Sequence, residues 1–374
     1  MAVKSILIVG GGISGLTLAI GLARRGIIAE MVEISRDWKV LGVGLSLTGP
    51  TLRALNGVGL REKCFAAGYP FSEMVFCDVN SNAFDRIAMP RVNGPANPGM
   101  CAIGRPALHQ ILVDGAREAG TKVRLGTTVT SLATVKDKVE VVFNDGSTGT
   151  YDLVVGADGV HSTVRRLVFP EAPAPWFTYQ ACWRYTMPRW PELQSMHLYY
   201  GPRNKAGLNP NAPGEMFLFL VTNIENNDRL PPGRECELLI DELRDFGGAA
   251  GRIRDEIVDN AAVDYRPMEA LMMPPPWHRG RVLLIGDAAH TTTPHLGTGA
   301  GISIEDAVLL SEVITLDVPI DTLLTRFVER RYERCRLVVD TSIQLSRWER
   351  APNTPGADPV GASRYAHETL ASPM

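Results

Sequence analysis

No run of this 374-residue chain approaches the ~18 consecutive apolar residues that a membrane-spanning helix needs, and no signal-peptide pattern precedes its first strand. A cytoplasmic protein without a membrane partner is expected. Net charge is also scarce. The 38 basic and 41 acidic side chains leave −3, so no global field draws nucleic acid, and none is expected as a partner. The six cysteines (Cys64, Cys77, Cys101, Cys182, Cys236, Cys335) show no CxxC and no metal-like pairing with histidine. A disulfide framework and a structural metal are therefore not expected, and each thiol reads as a small buried hydrophobe. Internal repeats are absent as well. What is present is an ordinary globular composition, with 45% hydrophobic and 21% charged residues, enough to bury a sizeable core.

The N-terminus reads as strand, tight turn, helix, strand: Ile6 to Val9, Gly10 to Gly12, Ile13 to Arg25 and Ile28 to Val32. A helix from Arg105 to Ala119 and short strands around Lys122, Val129, Val139 and Leu153 follow, with Asn144-Asp145-Gly146 as a hairpin turn. From about Pro170 to Pro276 prolines, aromatics and alternating stretches suit a mostly antiparallel sheet. An α/β pattern returns at Arg281 to Ile285, followed by a long helical region broken near Pro319. The expected fold is α/β, a Rossmann-like dinucleotide domain with an inserted, mostly antiparallel substrate domain and C-terminal helices. The first would comprise residues 1–72, 100–170 and 278–350, the second 73–99 and 171–277. Residues 351–374, rich in Pro, Gly, Ala and Ser, read as a flexible tail.

Gly10-Gly11-Gly12-Ile13-Ser14-Gly15 fits G-x-G-x-x-G between a strand and a helix, with Glu33 at the end of the next strand. Gly10 permits the turn, Gly12 admits a pyrophosphate and Gly15 lets the helix pack closely, while Glu33 would accept from a ribose hydroxyl. The acid at that strand end disfavours a 2′-phosphate, which leaves NAD or FAD.

Two later segments separate these. Asp152 to Arg165, containing Gly156-Ala157-Asp158-Gly159, and Arg281 to His290, containing Gly286-Asp287 and running on to Pro294-His295-Leu296-Gly297-Thr298-Gly299, resemble the two aspartate motifs of single-component flavoprotein aromatic hydroxylases. Gly104-Arg105-Pro106 is similar to that family's arginine under the flavin, and Gly42-Val43-Gly44-Leu45 to its flavin-side loop. Within the p-hydroxybenzoate hydroxylase fold, the chain resembles most the short salicylate and urate hydroxylase-like members. Thr298 departs from the pattern, since many relatives carry glutamine there. The resemblance implies FAD bound by Gly44, Arg105, Asp158, Asp287, Pro294, Gly297 and Gly299. It further implies NADH or NADPH as a transient reductant, O2 as co-substrate and a flavin hydroperoxide that hydroxylates a small aromatic or heteroaromatic ring. A dehydrogenase or oxidase on the same fold, or a nucleotide-binding sensor, stays open, as does monomer against homodimer.

Substrate-side candidates are fewer. Met196-His197-Leu198-Tyr199-Tyr200 alternates, so His197 and Tyr199 share one face. Tyr199, His197 and, in the flavin-side loop, His295 are the candidates for taking a phenolic proton. Phe217 and Phe219 would wall the pocket, and Lys205 would hold an anionic substituent.

Overall fold

The computed structural model describes residues 3–38 and 42–374. Six strands form one sheet in the order His278–Arg279, Val282–Leu284, Leu153–Gly156, Ile6–Val9, Glu30–Glu33, Lys122–Leu125, parallel except for the first pair. Ile6–Val9 and Leu153–Gly156 are buried at every position, which is why they read as unbroken apolar runs rather than alternating ones. The helix Ile13–Ala23 packs against Gly299–Val313, and Gly21 makes the close approach possible: a Cβ there would lie 2.6 Å from Ser311 Oγ.

A seven-stranded sheet runs Val263–Ala270, Trp176–Pro188, Glu215–Asn223, Lys205–Ala212, Met196–Tyr200, Glu73–Asp78, Ala83–Ala88. Only Met196–Tyr200 with Glu73–Asp78 is parallel. The period of two divides its side chains. Met216, Leu218 and Leu220 enter a core with Trp183, Tyr185 and Phe246, while Phe217 and Phe219 turn to a cavity on the other face. Gly44–Thr48, Met100–Gly104 and Tyr69–Phe71 form a small antiparallel sheet. Gly44 packs on Phe217, where a Cβ would come within 2.3 Å of the ring.

The expected flexible tail is corrected. Pro359–Leu370 is a helix, capped by Asp358 accepting from the Gly361 N–H at 2.8 Å. Arg53 Nη1 donates to the Ala371 carbonyl at 2.9 Å and Arg334 Nη2 to that of Leu370 at 2.5 Å. Its buried face is Ser363, Ala366, His367 and Leu370, in which one leucine among small and polar residues gives little apolar signal in sequence. Burial lowers the His367 pKa to about 4, against about 6.5 in an unfolded chain. The folded protein thus disfavours the proton, so this stability is complete above about pH 6.5 and is lost as pH falls toward 4. The melting temperature is expected to drop between pH 7 and 5, and by less in His367→Gln. Equal drops in the two proteins would contradict the assignment.

Candidate active site

The parallel sheet delivers three loops to one place. At the end of Ile6–Val9, Gly10 takes φ +110°, and a Cβ there would sit 2.3 Å from the Ala157 carbonyl oxygen, so glycine is required. A Cβ on Gly12 would meet nothing within 4 Å, because that position opens onto a cavity. Ser14, whose Oγ donates to the Ser303 carbonyl at 3.3 Å, lines it too, while Gly15 seats the helix against the Gly10 carbonyl.

The cavity has a volume of about 470 Å³. Two helix N-termini without side-chain caps border it, at Gly12 to Ser14 and at Gly297 to Ala300, and their free N–H groups and positive dipole ends suit anionic groups. Asp287 and Arg105 line it as well, and among the described residues neither side chain has a hydrogen-bond partner in the protein. Both residues are open to the hollow, whose walls strip water from them: this raises the Asp287 pKa, with His290 and Arg105 opposing, and lowers that of Arg105. A carboxylate acceptor, a guanidinium donor and two open helix ends around one hollow fit FAD, whose ribityl hydroxyls, pyrophosphate and flavin pyrimidine need such partners. Gly44, Pro294, Gly297 and Gly299 complete this wall.

Two cofactor candidates are held by the protein itself. Asp158 caps a helix: its carboxylate accepts from Ser162 Oγ at 2.5 Å and from the N–H groups of Thr163 and Val164 at 2.7 and 3.0 Å. It thereby shapes the loop whose Ala157 and Gly159 line the cavity. Glu33 accepts from the N–H groups of Gly11 and Ser35, both at 2.7 Å, which holds the fingerprint loop in register with the strand end.

Gly286, at φ +60°, carries Asp287 and is itself held by a residue not among the sequence candidates. Asp306 Oδ2 accepts from the Gly286 N–H at 2.9 Å and lies 2.6 Å from His290 Nε2, while Oδ1 accepts from Arg331 Nε at 2.6 Å. Arg331 also donates to Glu305 at 3.0 Å and to the Ile302 carbonyl at 3.1 Å. His290, Asp306 and Cys335 lie close enough to ligate a cation, but the Arg331 guanidinium already supplies positive charge there. The adjacent acids Glu305 and Asp306, buried in the middle of the largely apolar stretch 302–310 of the Gly299–Val313 helix, were the readable signal.

The other end of the cavity is apolar. Met74, Phe76, Met100, Met196, Leu198, Phe217 and Phe219 form its wall. This corrects the strand register assumed for catalysis: Met196 and Leu198 face the cavity, so Tyr199 and His197 face away. Tyr199 is buried in the opposite core with Val75, Cys77 and Trp183, where burial raises its pKa. His197 Nδ1 meets the Ser195 carbonyl at 3.1 Å and its ring stacks on Tyr199. Tyr199→Phe and His197→Ala are accordingly expected to leave the ratio of product to reductant consumed within about twofold of the parent. A large release of peroxide by either would restore the sequence-based reading.

His295, the third candidate for taking a proton, lines the cavity. Its side chain is wholly buried, with Nδ1 2.8 Å from Thr293 Oγ1 and Nε2 3.1 Å from a Glu349 carboxylate oxygen. The other Glu349 oxygen pairs with Lys205 Nζ, so that ammonium is not free for a substrate anion. Glu349, in the last turn of Ile320–Arg350, gave no local signal in the sequence, being 54 residues from His295 and 144 from Lys205.

Comparison with known proteins agrees with this geometry. Residues 4–342 match the FAD binding domain family. The chain is 31% identical over 356 residues to 2-heptyl-3-hydroxy-4(1H)-quinolone synthase of Pseudomonas aeruginosa, covering 92% of this chain and 90% of that one. It is 26% identical to the FAD-dependent urate hydroxylase of Klebsiella oxytoca, covering 89% and 87%. The structure of Klebsiella pneumoniae HpxO with FAD and uric acid superposes with a TM-score of 0.83 at 22% identity, over 98% of this chain and 92% of that one. No helix among the described residues is long and apolar enough to cross a membrane. With a cavity wall that fits FAD and relatives matched over about nine-tenths of their length, the chain belongs to the FAD binding domain family and is an FAD-dependent monooxygenase.

Proposed function

We propose that this enzyme hydroxylates a small heteroaromatic ring carrying an apolar substituent, with NADH or NADPH as the electron donor. The observation that carries the reading is the continuity of one cavity, from the Gly12 and Asp287 end that fits FAD to the methionine and phenylalanine wall at the other. Bound FAD would accept hydride and then activate O2; the protein's part is to orient the ring and keep water from it. Arg105 would hold an anionic or hydroxyl oxygen of the cofactor, and Asp287 would accept from its ribityl hydroxyls. The N–H groups at Gly297 to Ala300 would stabilise negative charge on the reduced ring. Flexible, polarizable Met74, Met100 and Met196 suit an aliphatic substituent of variable shape. A quinolone with an alkyl chain, as named for the Pseudomonas relative, has such a shape.

The sequence holds no second G-x-G-x-x-G unit, so the reductant is expected to bind transiently. The test is a panel of alkylated quinolones, hydroxypyridines and purines offered to the FAD-loaded enzyme under ¹⁸O2. A substrate should accelerate NAD(P)H oxidation and yield product labelled with one ¹⁸O. Oxidation of a ring without label would establish the dehydrogenase or oxidase instead.

A further inference from the structure

Among the described residues, the apolar end of the cavity contains one ammonium, Lys205, only 5% exposed. In a pocket for a benzoate-like substrate such a cation would be the natural carboxylate anchor. Here its charge is already matched. Glu349 meets Lys205 with one carboxylate oxygen and approaches His295 Nε2 at 3.1 Å with the other. Burial favours neutral Glu349, but His295 and Lys205 outweigh that and hold its pKa at about 2; burial lowers that of His295. Lys205 and Glu349 thus form a buried ion pair whose charges cancel. Arg184, the next cation along the wall, pairs with Asp264 at 3.4 Å, Arg105 faces Asp287 at the cofactor end, and His367 is neutral at pH 7.

A polar group of a different kind is left over. Asn209 is fully buried and lines the cavity; its Nδ2 donates to Ser46 Oγ at 3.3 Å, and its Oδ1 has no partner. An unpaired buried acceptor is destabilising, so a ligand that donates to it is favoured over one that cannot.

We propose that Glu349 is a specificity-determining residue: by neutralising Lys205 it makes the site select an uncharged ring with an N–H donor for Asn209 and reject ring carboxylates. The inference rests on the hydroxylase reading above and narrows its substrate class. A carboxylate entering the wild-type pocket would have to displace Glu349 from Lys205 or remain unpaired beside it, and both are costly in a buried site.

The experiment measures equilibrium binding to FAD-loaded protein of two probes, 2-heptyl-4(1H)-quinolone and 4(1H)-quinolone-2-carboxylate. Wild type should bind the uncharged probe and discriminate strongly against the carboxylate. Glu349→Gln, which leaves Lys205 unmatched, should improve carboxylate binding by roughly 10- to 100-fold, the value of one charge-assisted hydrogen bond. The double variant Lys205→Met with Glu349→Gln removes both charges, guards against misfolding of the single one, and should bind the uncharged probe near wild-type strength while again rejecting the carboxylate. Equal binding of the two probes by wild type, or an unchanged ratio in Glu349→Gln, would overturn the proposal. So would loss of the uncharged probe in the double variant, since Lys205 would then hold the ring itself. If neither probe binds, the proposed substrate class falls. The hydroxylase reading is judged separately, by whether any ring accelerates NAD(P)H oxidation with ¹⁸O incorporation.

Discussion

Arg331→Met is expected to lower folding stability by about 3–5 kcal/mol, the range found when one partner of a buried ion pair is removed and the other stays charged. Arg331 is 0% exposed and reaches Asp306 at 2.6 Å and Glu305 at 3.0 Å. Methionine fills much of the same volume, so cavity formation contributes little and the loss reports charge. Arg334 still pairs with Glu305 at 2.6 Å, and His290 with Asp306 at 2.6 Å, which keeps the cost from rising further. Burial alone would raise the Asp306 pKa, but His290 and Arg331 hold it at about 2. Because that value lies below the unfolded one near 4, this stability is present at neutral pH and is lost as pH falls from about 4 toward 2. Urea denaturation checks the figure, and the double variant Arg331→Met with Asp306→Asn should lose less than the sum of its parts. A midpoint unchanged within error would mean that the two acids are neutralised without Arg331. The same network holds the Gly286 N–H, so the variant is also expected to retain less FAD.

How much of this was legible in the sequence depended on whether the signal was local. The glycine fingerprint, the Asp287 turn and Arg105 at a helix start each lie within a few residues of the backbone feature that uses them, and all three reach the cavity. A strand face is different, because a period of two gives two answers and only a neighbouring strand decides between them. Pairing of Leu198 with Phe76 and Gly207 put Met196 and Leu198 toward the cavity and carried Tyr199 into the opposite core. Asp158 shows a second limit, since the capping role of an Asp before Gly becomes visible only when the donors around it are seen. Glu349 was beyond sequence reading for another reason. Its meaning comes wholly from Lys205 and His295, which are brought to it by the packing of a 31-residue helix.

Asp287→Ala should weaken FAD binding by roughly 10- to 100-fold, since hydrogen bonds to a charged acceptor are worth about 1.5–3 kcal/mol and each tenfold is about 1.4. The carboxylate has no protein donor among the described residues, so nothing in the protein replaces the flavin hydroxyls it would accept from. Loss of water beside the cavity walls raises its pKa in the unliganded protein, whereas binding hydroxyl donors favours the ionised form. Affinity for FAD is therefore expected to fall as the medium is acidified through that raised pKa, and to be less pH-dependent in Asp287→Asn, which keeps the shape and loses the charge. Gly286 should hold the turn in both variants, because its N–H bond to Asp306 does not involve the Asp287 side chain. Titration of apoprotein with FAD, followed by flavin fluorescence at neutral and at progressively lower pH, separates the outcomes. A folded Asp287→Ala protein that binds FAD as tightly as the parent would remove Asp287 from the cofactor site and leave Arg105 and the two helix N-termini to hold the flavin without it.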